Sequence, residues 1–338
     1  MTTIQQVLFE LEADYLGHPY YVTGNAIYNA LASRVDGPTR NTLQVSHGVF
    51  VPGEYGQYPD AHSRTGGAGA MGRKLHPVER YEDLFVFRHP SHRWLLDGRP
   101  RDAHNTHDLT NHGGRLAFAP TCYFGRPPHV RNHKRSVTWH VYCYLHGDGR
   151  VLPLSEETLD GLCVGGARNY GFGELSVVDT QTIDLEALDY SRLEAADKYV
   201  LELLSPYVLE TAYPGADGQR IPWWWETDVD GRRITASETE TPYPAIEHLG
   251  CHELRLREER LVSDGETYSL ETVDHGQLVG YAGDTPIQTA KNGVRRVGTH
   301  AKFGFGEFRV WPATDERVAT LTPRPSEAHA TEQLSGGA

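Results

Sequence analysis

Lysine is scarce in this chain of 338 residues: five of its 32 basic side chains are lysines, against 45 aspartates and glutamates. The formal net charge is −13, and arginine supplies most of the positive charge. Carboxylates keep a protein hydrated in concentrated salt, so this balance is typical of a salt-adapted or GC-rich organism. The bulk charge therefore says little about binding partners.

Long apolar runs and clustered cysteines are also missing. No run of about 18 apolar residues occurs, and residues 1–30 lack a basic segment followed by an apolar one, so we expect neither a membrane span nor a secretory signal. The four cysteines show no C-x-x-C spacing, which favours reduced thiols over disulfides or a structural zinc knot. We expect a cytoplasmic protein with no membrane partner.

The common enzyme signatures are absent as well. The sequence contains no Walker pattern, no H-E-x-x-H, no G-x-S-x-G and no dinucleotide fingerprint after a predicted strand. A function must therefore be sought in other features of the chain.

One segment of the chain occurs twice. Gly165–Val177 reads GGARNYGFGELSV, and Gly298–Val310 reads GTHAKFGFGEFRV, 133 positions further along. The shared pattern is G-x5-G-F-G-E-[LF]-x-V, with an aromatic residue before each G-F-G. This spacing is a domain length rather than a solenoid period, so it predicts two related domains.

Each copy follows a predicted helix and precedes a predicted strand. Ser155 and Thr285 are each placed to cap a helix, and the second helix, with Pro286 at its first position, is expected to run to Lys291 and stop at Gly293. Alternating apolar residues after each G-F-G-E indicate a half-buried strand. The repeated unit is thus helix, glycine loop, strand.

The N-terminal region supplies the rest of a β-α-β-β-α-β order. Val7–Glu12 and Ser136–His146 have strand patterns, and Asn25–Arg34 has a helical one. The order predicts an α+β fold with two tandem ferredoxin-like (RRM-like) domains, each with a glycine-rich loop before a sheet strand. The strands of the second half are expected near Glu253–Val262, Thr267–Val273 and Gln277–Tyr281. The first predicted domain covers residues 1–184 and carries a histidine-rich insertion at about 50–135. The second predicted domain covers residues 185–312, and residues 313–338 are expected to form a disordered tail.

The glycine loops are the first candidate binding sites. Glycines permit positive φ and close backbone approach, and consecutive amides in such a loop form an anion nest suited to phosphate, beside aromatic rings that can stack on bases. An alternative is that the phenylalanines between the glycines point into the domain cores. The residues predicted to bind single-stranded RNA here are Gly165, Gly166, Arg168, Tyr170, Gly171, Phe172, Gly173, Arg295, Arg296, Gly298, His300, Lys302, Phe303, Gly304, Phe305 and Gly306.

These segments resemble a known family. YAGD at 281–284, GVRRVG at 293–298 and FGFG at 303–306 are similar to the C-terminal glycine-rich signature of the RAMP superfamily, the ferredoxin-fold RNA-binding proteins of CRISPR systems; the first copy resembles the same loop. The resemblance covers only these segments and the elements beside them. It implies binding of guide RNA, either as a subunit of an interference complex with other proteins or as the nuclease that releases guides from the repeat transcript.

The resemblance also implies a place for catalysis. Processing nucleases of this superfamily use a general acid/base, often a histidine, without metal, and leave a 2′,3′-cyclic phosphate. Tyr28 and His47 lie in and after the first predicted helix, and His18 competes with His47. The required cation has no obvious source, because the nearest lysine and arginine are Lys74 and Arg40. Whether the protein cleaves RNA or only binds it stays open.

The insertion is rich in histidine and arginine. His104, His107 and His112 are weak candidates for zinc ligands, although their spacing matches no standard finger and a polar loop explains them equally. No other cofactor is expected. A metal-dependent enzyme or binding module centred on this insertion is the third functional hypothesis. The densest basic stretch contains further candidates for RNA contact, namely Arg126, Arg131, Lys134 and Arg135.

Overall fold

The computed structural model describes residues 3–17, 21–52, 74–85, 106–109, 115–124, 135–147, 149–214, 221–226, 233–234, 252–263, 265–296 and 300–313. The helices are α1 (Gly24–Ala32), α2 (Gly37–Thr42), α3 (Glu156–Leu159), α4 (Ser191–Glu194) and α5 (Pro286–Arg295). The N-terminal strands are β1 (Thr3–Leu11), β2 (Tyr21–Val22), β3 (Gln44–Val45), β4 (Gly48–Pro52), β5 (Thr106–Leu109), β6 (Arg115–Phe118), β7 (Thr121–Phe124), β8 (Arg135–His146), β9 (Leu162–Cys163) and β10 (Glu174–Asp184). The later strands are β11 (Tyr199–Leu203), β12 (Tyr207–Thr211), β13 (Trp225–Glu226), β14 (Arg233–Ile234), β15 (His252–Glu253), β16 (Leu256–Ser263), β17 (Glu266–Val273), β18 (Leu278–Tyr281) and β19 (Phe308–Pro312).

The first sheet has the strand order that a ferredoxin-like unit requires. Its path is β2-β4-β8-β1-β10-β9, and β1 pairs antiparallel with both β8 and β10. Helix α1 connects β1 to β4, and the short α3 connects β8 to β10, so each crossover skips one strand. The mixed α and β composition and the predicted order of this half are confirmed.

Helix α1 forms where the sequence predicts it. The Thr23 hydroxyl accepts a hydrogen bond from the Ala26 amide at 3.3 Å, which caps the helix. Ile27 and Leu31, one turn apart, are fully buried in the same apolar cluster as Val7 of β1. This packing fixes α1 on one face of the first sheet.

The second half repeats the strand order without the first helix. Its sheet is β13-β18-β11-β19, and α5 connects β18 to β19. No helix occurs within residues 204–214 and 221–224, the described part of the connection from β11 to β13. Instead, β12 pairs with β17 in a separate sheet of order β12-β17-β16. Of the three strands predicted before α5, β16 and β17 therefore belong to this separate sheet. The third, β18, belongs to the sheet β13-β18-β11-β19, which repeats the order of the first half.

The predicted end of the second helix is wrong. Helix α5 continues through Gly293 to Arg295, and the side chain of Thr285 makes no capping hydrogen bond. A Cβ atom on Gly293 would collide with the backbone carbonyl of Phe308 in β19. Glycine at this position therefore permits α5 to approach the sheet closely, rather than ending the helix.

The apolar clusters contain residues from both halves of the chain. The first combines Val7 and Ile27 with Val208 and Phe303, and the second combines Leu8 with residues of β11 and β19. The boundary between residues 184 and 185 stays a prediction. The predicted tail beyond residue 313 and most of the insertion lie outside the described residues. Within the described part of the chain, no helix is both long and apolar enough to cross a bilayer.

Candidate functional site

The second glycine loop lies against the N-terminal half of the protein. A 3₁₀ turn at Ala301–Phe303 opens this loop and packs beside α1 and β3. Gly24 at the start of α1 permits the approach, because a Cβ there would collide with the Phe303 carbonyl. The structure thus brings a loop near residue 300 together with the region of Tyr28 and His47.

His47 is held in one tautomer at this junction. Its Nδ1 accepts a hydrogen bond of 2.7 Å from the Gly24 amide, so a neutral ring carries its proton on Nε2. The ring stacks on Tyr21, with centroids 4.8 Å apart, and meets Phe305 edge to face at 5.4 Å. His47 is 5% exposed. In this arrangement a neutral His47 ring carries a proton donor, not a base, at Nε2, and that atom is buried.

Lys302 is a cation close to Tyr28, and sequence reasoning had not placed these two residues together. Its Nζ lies over three rings, at 5.4 Å from the centroid of Tyr28, 5.8 Å from Tyr213 and 4.7 Å from Phe303. The Lys302 side chain is partly exposed, and no carboxylate of the described residues lies within ion-pair distance of it. Tyr28 is held in place, since its hydroxyl donates to the Arg40 carbonyl at 3.1 Å. Aromatic faces attract an ammonium without neutralising it, so its charge remains available to an anion.

The predicted basic cluster beside the second loop is smaller than expected. Arg296 and His300 are 6% and 1% exposed, because the loop folds back into the core. The Arg296 Nε donates to the Ala301 carbonyl at 2.9 Å. Arg295 is exposed at the end of α5, and its Nε donates to His146 Nε2 at 3.2 Å. Arg295 and Lys302 are therefore the cations of this cluster that reach the surface.

Several loop amides do not form the predicted phosphate nest. In the first loop, the Gly166 amide donates to the Leu16 carbonyl and the Gly173 amide to the Asp14 carbonyl, both at 2.7 Å. In the second loop, the Gly304 amide donates to the Ala301 carbonyl and the Gly306 amide to the Pro206 carbonyl. Gly165 and Gly173 instead permit close backbone contact; a Cβ added to Gly165, for example, would lie 2.6 Å from the Leu16 carbonyl oxygen.

The aromatic residues of the two loops differ in exposure. Phe303 and Phe305 are 0% and 5% exposed, so their faces are covered, which contradicts the predicted stacking role and confirms the core interpretation for Phe305. Tyr170 is 77% exposed, Arg168 beside it is exposed, and Phe172 is partly exposed. For the first loop, stacking and phosphate contact stay predictions.

The structure does not describe the side chains of the remaining predicted site residues. His18, His104, His112, Gly298, Arg126, Arg131 and Lys134 lie outside the described residues. His107 and Arg135 lie in β5 and β8, where only the backbone is described. Among the side chains that the structure describes, no group of three or more His, Cys, Asp or Glu is arranged to hold a metal ion. The zinc hypothesis thus stays untested.

Sequence reasoning missed two aromatic residues of this site. Tyr213 follows β12, and its ring meets Tyr268 of β17 at 5.1 Å and Phe303 at 5.8 Å, both edge to face. Both tyrosines are partly exposed. They belong to no motif and lie far from the glycine loops in sequence, so no local signal identified them.

Burial of two histidines predicts acid sensitivity. Burial and then the charge of Lys302 lower the pKa of His300 to about 4; burial and then the charges of Arg296 and Arg295 do the same for His146. The unfolded chain binds these protons already below about pH 6.5. The free energy of unfolding should therefore fall as the pH drops from 7 towards 4, by at most about 1.4 kcal/mol per pH unit for each histidine.

Urea unfolding at a series of pH values measures this effect. His300→Gln keeps a hydrogen-bonding group near Thr211, whose hydroxyl lies 3.1 Å from Nε2, but removes the titration. The variant should lose stability less steeply between pH 6.5 and 4. An unchanged slope would show that His300 takes up its proton equally in both states.

Comparison with known proteins does not identify a family for this chain. No protein-family model and no curated protein matches the chain. It is similar to a solved structure of a CRISPR associated protein Cas6. The two are 12% identical, the match covers 91% of this chain and 98% of that one, and the TM-score is 0.32. A likeness this weak carries no statement about function.

Proposed function

We propose that the protein binds single-stranded RNA at the surface around Lys302, and that this RNA is a guide RNA. The observation that carries RNA binding is the Lys302 ammonium, partly exposed, held over three aromatic rings and unmatched by a carboxylate in the described part of the chain. The resemblance of the glycine segments to the RAMP superfamily supports the choice of guide RNA and of other protein subunits as partners.

Charge and position both favour a nucleic-acid phosphate as the ligand of Lys302. On a chain with a net charge of −13, an ammonium with no carboxylate of the described residues within ion-pair distance marks a local site for an anion. Another lysine with a ring contact, Lys291, lies 5.2 Å from the Tyr190 centroid but also forms an ion pair with Glu186. Lys302 therefore differs from Lys291 in having its charge free for a ligand.

This contrast defines the test. Lys302→Ala should weaken binding of a single-stranded repeat RNA about tenfold, the usual effect of losing one charged hydrogen bond. It should also reduce the slope of log affinity against log salt by about 0.7, one phosphate contact on a single strand. Fluorescence anisotropy over a salt series measures both, with Lys291→Ala as the matched control.

Two results would count against the proposal. If Lys302→Ala keeps the affinity and salt slope of the unmodified protein, the RNA lies elsewhere, and Arg168 and Tyr170 of the first loop become the next residues to replace. If the unmodified protein does not bind single-stranded RNA at all, the proposed function is wrong.

The contact of Lys302 with Tyr28, and of the same loop with His47 through Phe305, favours a second candidate, a metal-independent endoribonuclease that processes repeat RNA. Metal-free cleavage of an RNA phosphodiester requires a cation and a general acid/base group. The burial of His47 and the proton on its Nε2 favour binding over cleavage in this conformation. The second candidate therefore ranks below the first.

A further inference from the structure

We infer that Tyr213 and Tyr268 form a stacking platform for one unpaired nucleobase, next to the phosphate site at Lys302. This inference rests on the proposed function and extends it from the phosphate to the base. The two rings meet edge to face at 5.1 Å, and the Lys302 ammonium lies 5.8 Å from the Tyr213 centroid. An aromatic ring and a cation are thus in contact at a partly exposed surface.

Tyr213 and Tyr268 differ from the buried tyrosines of the protein in hydrogen bonding and exposure. The hydroxyls of Tyr28 and Tyr190 donate to backbone carbonyls, as expected for buried tyrosines. In contrast, the hydroxyls of Tyr213 and Tyr268 make no hydrogen bond to any described residue, and both rings are partly exposed. Aromatic rings held rigidly at a surface are suited to binding a planar partner.

The surroundings of the platform are suited to binding a nucleobase. Edge-to-face contacts with Tyr268 and Phe303 hold the Tyr213 ring, and its amide donates to the Thr211 hydroxyl at 2.9 Å. A phosphate on Lys302 places the attached base beside these rings, and every base has a face that stacks on an aromatic side chain. The platform is therefore expected to bind without strong sequence preference.

The test compares Tyr213→Leu with Tyr213→Phe. Leucine keeps apolar bulk but loses the ring, whereas phenylalanine keeps the ring. Tyr213→Leu should weaken binding of single-stranded repeat RNA by about 5- to 150-fold, and Tyr213→Phe should bind like the unmodified protein. Trp223→Leu, which removes an aromatic residue that is 78% exposed, serves as the matched control.

Two further probes separate stacking from phosphate contact. An RNA made abasic at one position should lose the effect of Tyr213→Leu when that position is the stacked one. A 2-aminopurine scan should show fluorescence quenching at the same position with the unmodified protein and with Tyr213→Phe. Should Tyr213→Leu fail to fold, this scan decides alone, and an unquenched base at every position overturns the platform.

The two proposals fail in different ways. RNA binding that is equal in the unmodified protein and in folded Tyr213→Leu, with no quenching, overturns the platform and leaves phosphate binding at Lys302 intact. Absence of any RNA binding by the unmodified protein overturns the proposed function and the platform with it.

Discussion

Replacing Gly304 with alanine is expected to lower the free energy of unfolding by about 2–5 kcal/mol. Gly304 has φ +92°, in the left-handed region where a Cβ costs about 1–2 kcal/mol. The Cβ would also lie 2.6 Å from Nδ1 and 2.9 Å from the backbone nitrogen of His47. His47 cannot move aside easily, because Tyr21 stacks on it and the Gly24 amide bonds to it. Overpacking of this kind adds about 1–3 kcal/mol.

The other copy of the repeat provides the control for this variant. Gly171 is the equivalent of Gly304, with φ +83°, but its Cβ would meet nothing within 4 Å. Gly171→Ala should therefore cost only the backbone strain, about 1–2 kcal/mol. Urea unfolding of both variants measures the difference. Equal losses of stability would mean that the second loop does not pack on His47 as the structure shows.

For the nuclease candidate, we expect His47→Ala to slow cleavage of repeat RNA by about 10²–10⁴-fold, the usual effect of losing a general acid/base. The reaction should persist in EDTA, leave a 2′,3′-cyclic phosphate and stop when the 2′-hydroxyl at the scissile position is removed. Denaturing gels with labelled RNA measure these properties. If the protein binds repeat RNA tightly but never cuts it, the nuclease candidate is wrong and RNA binding stands.

A second substitution separates chemistry from structure at this position. His47→Asn retains a side-chain oxygen that can accept the Gly24 amide, but it has no group that titrates near neutral pH. Loss of cleavage in both variants assigns proton transfer to His47. Recovery in His47→Asn would show instead that His47 positions α1 and the glycine loop. If neither variant slows cleavage, His18 is the next residue to replace.

The candidate site depends on contacts that no local pattern encodes. Tyr28 and Lys302 are far apart in sequence, and sequence reasoning placed Lys302 with the buried Arg296 and His300 in one basic cluster. The structure keeps Lys302 at the surface because its ring contacts hold it there, whereas Arg296 turns inward to the Ala301 carbonyl. Side-chain direction within a loop is set by the surface on which the loop packs, so residue type alone cannot predict it.

The sequence by itself determined the elements with clear periodicity or caps: β1, α1, β8, β10 and the order of the first sheet. Alternation and helical spacing reflect which side of an element is buried, and this information is local. Only the tertiary structure decided that β16 and β17 form a separate sheet with β12 and that Gly293 lies within α5. It also decided that one glycine loop exposes Tyr170 while the other buries Phe303. The two loops share a pattern but pack on different partners, and burial depends on the partner as much as on the pattern.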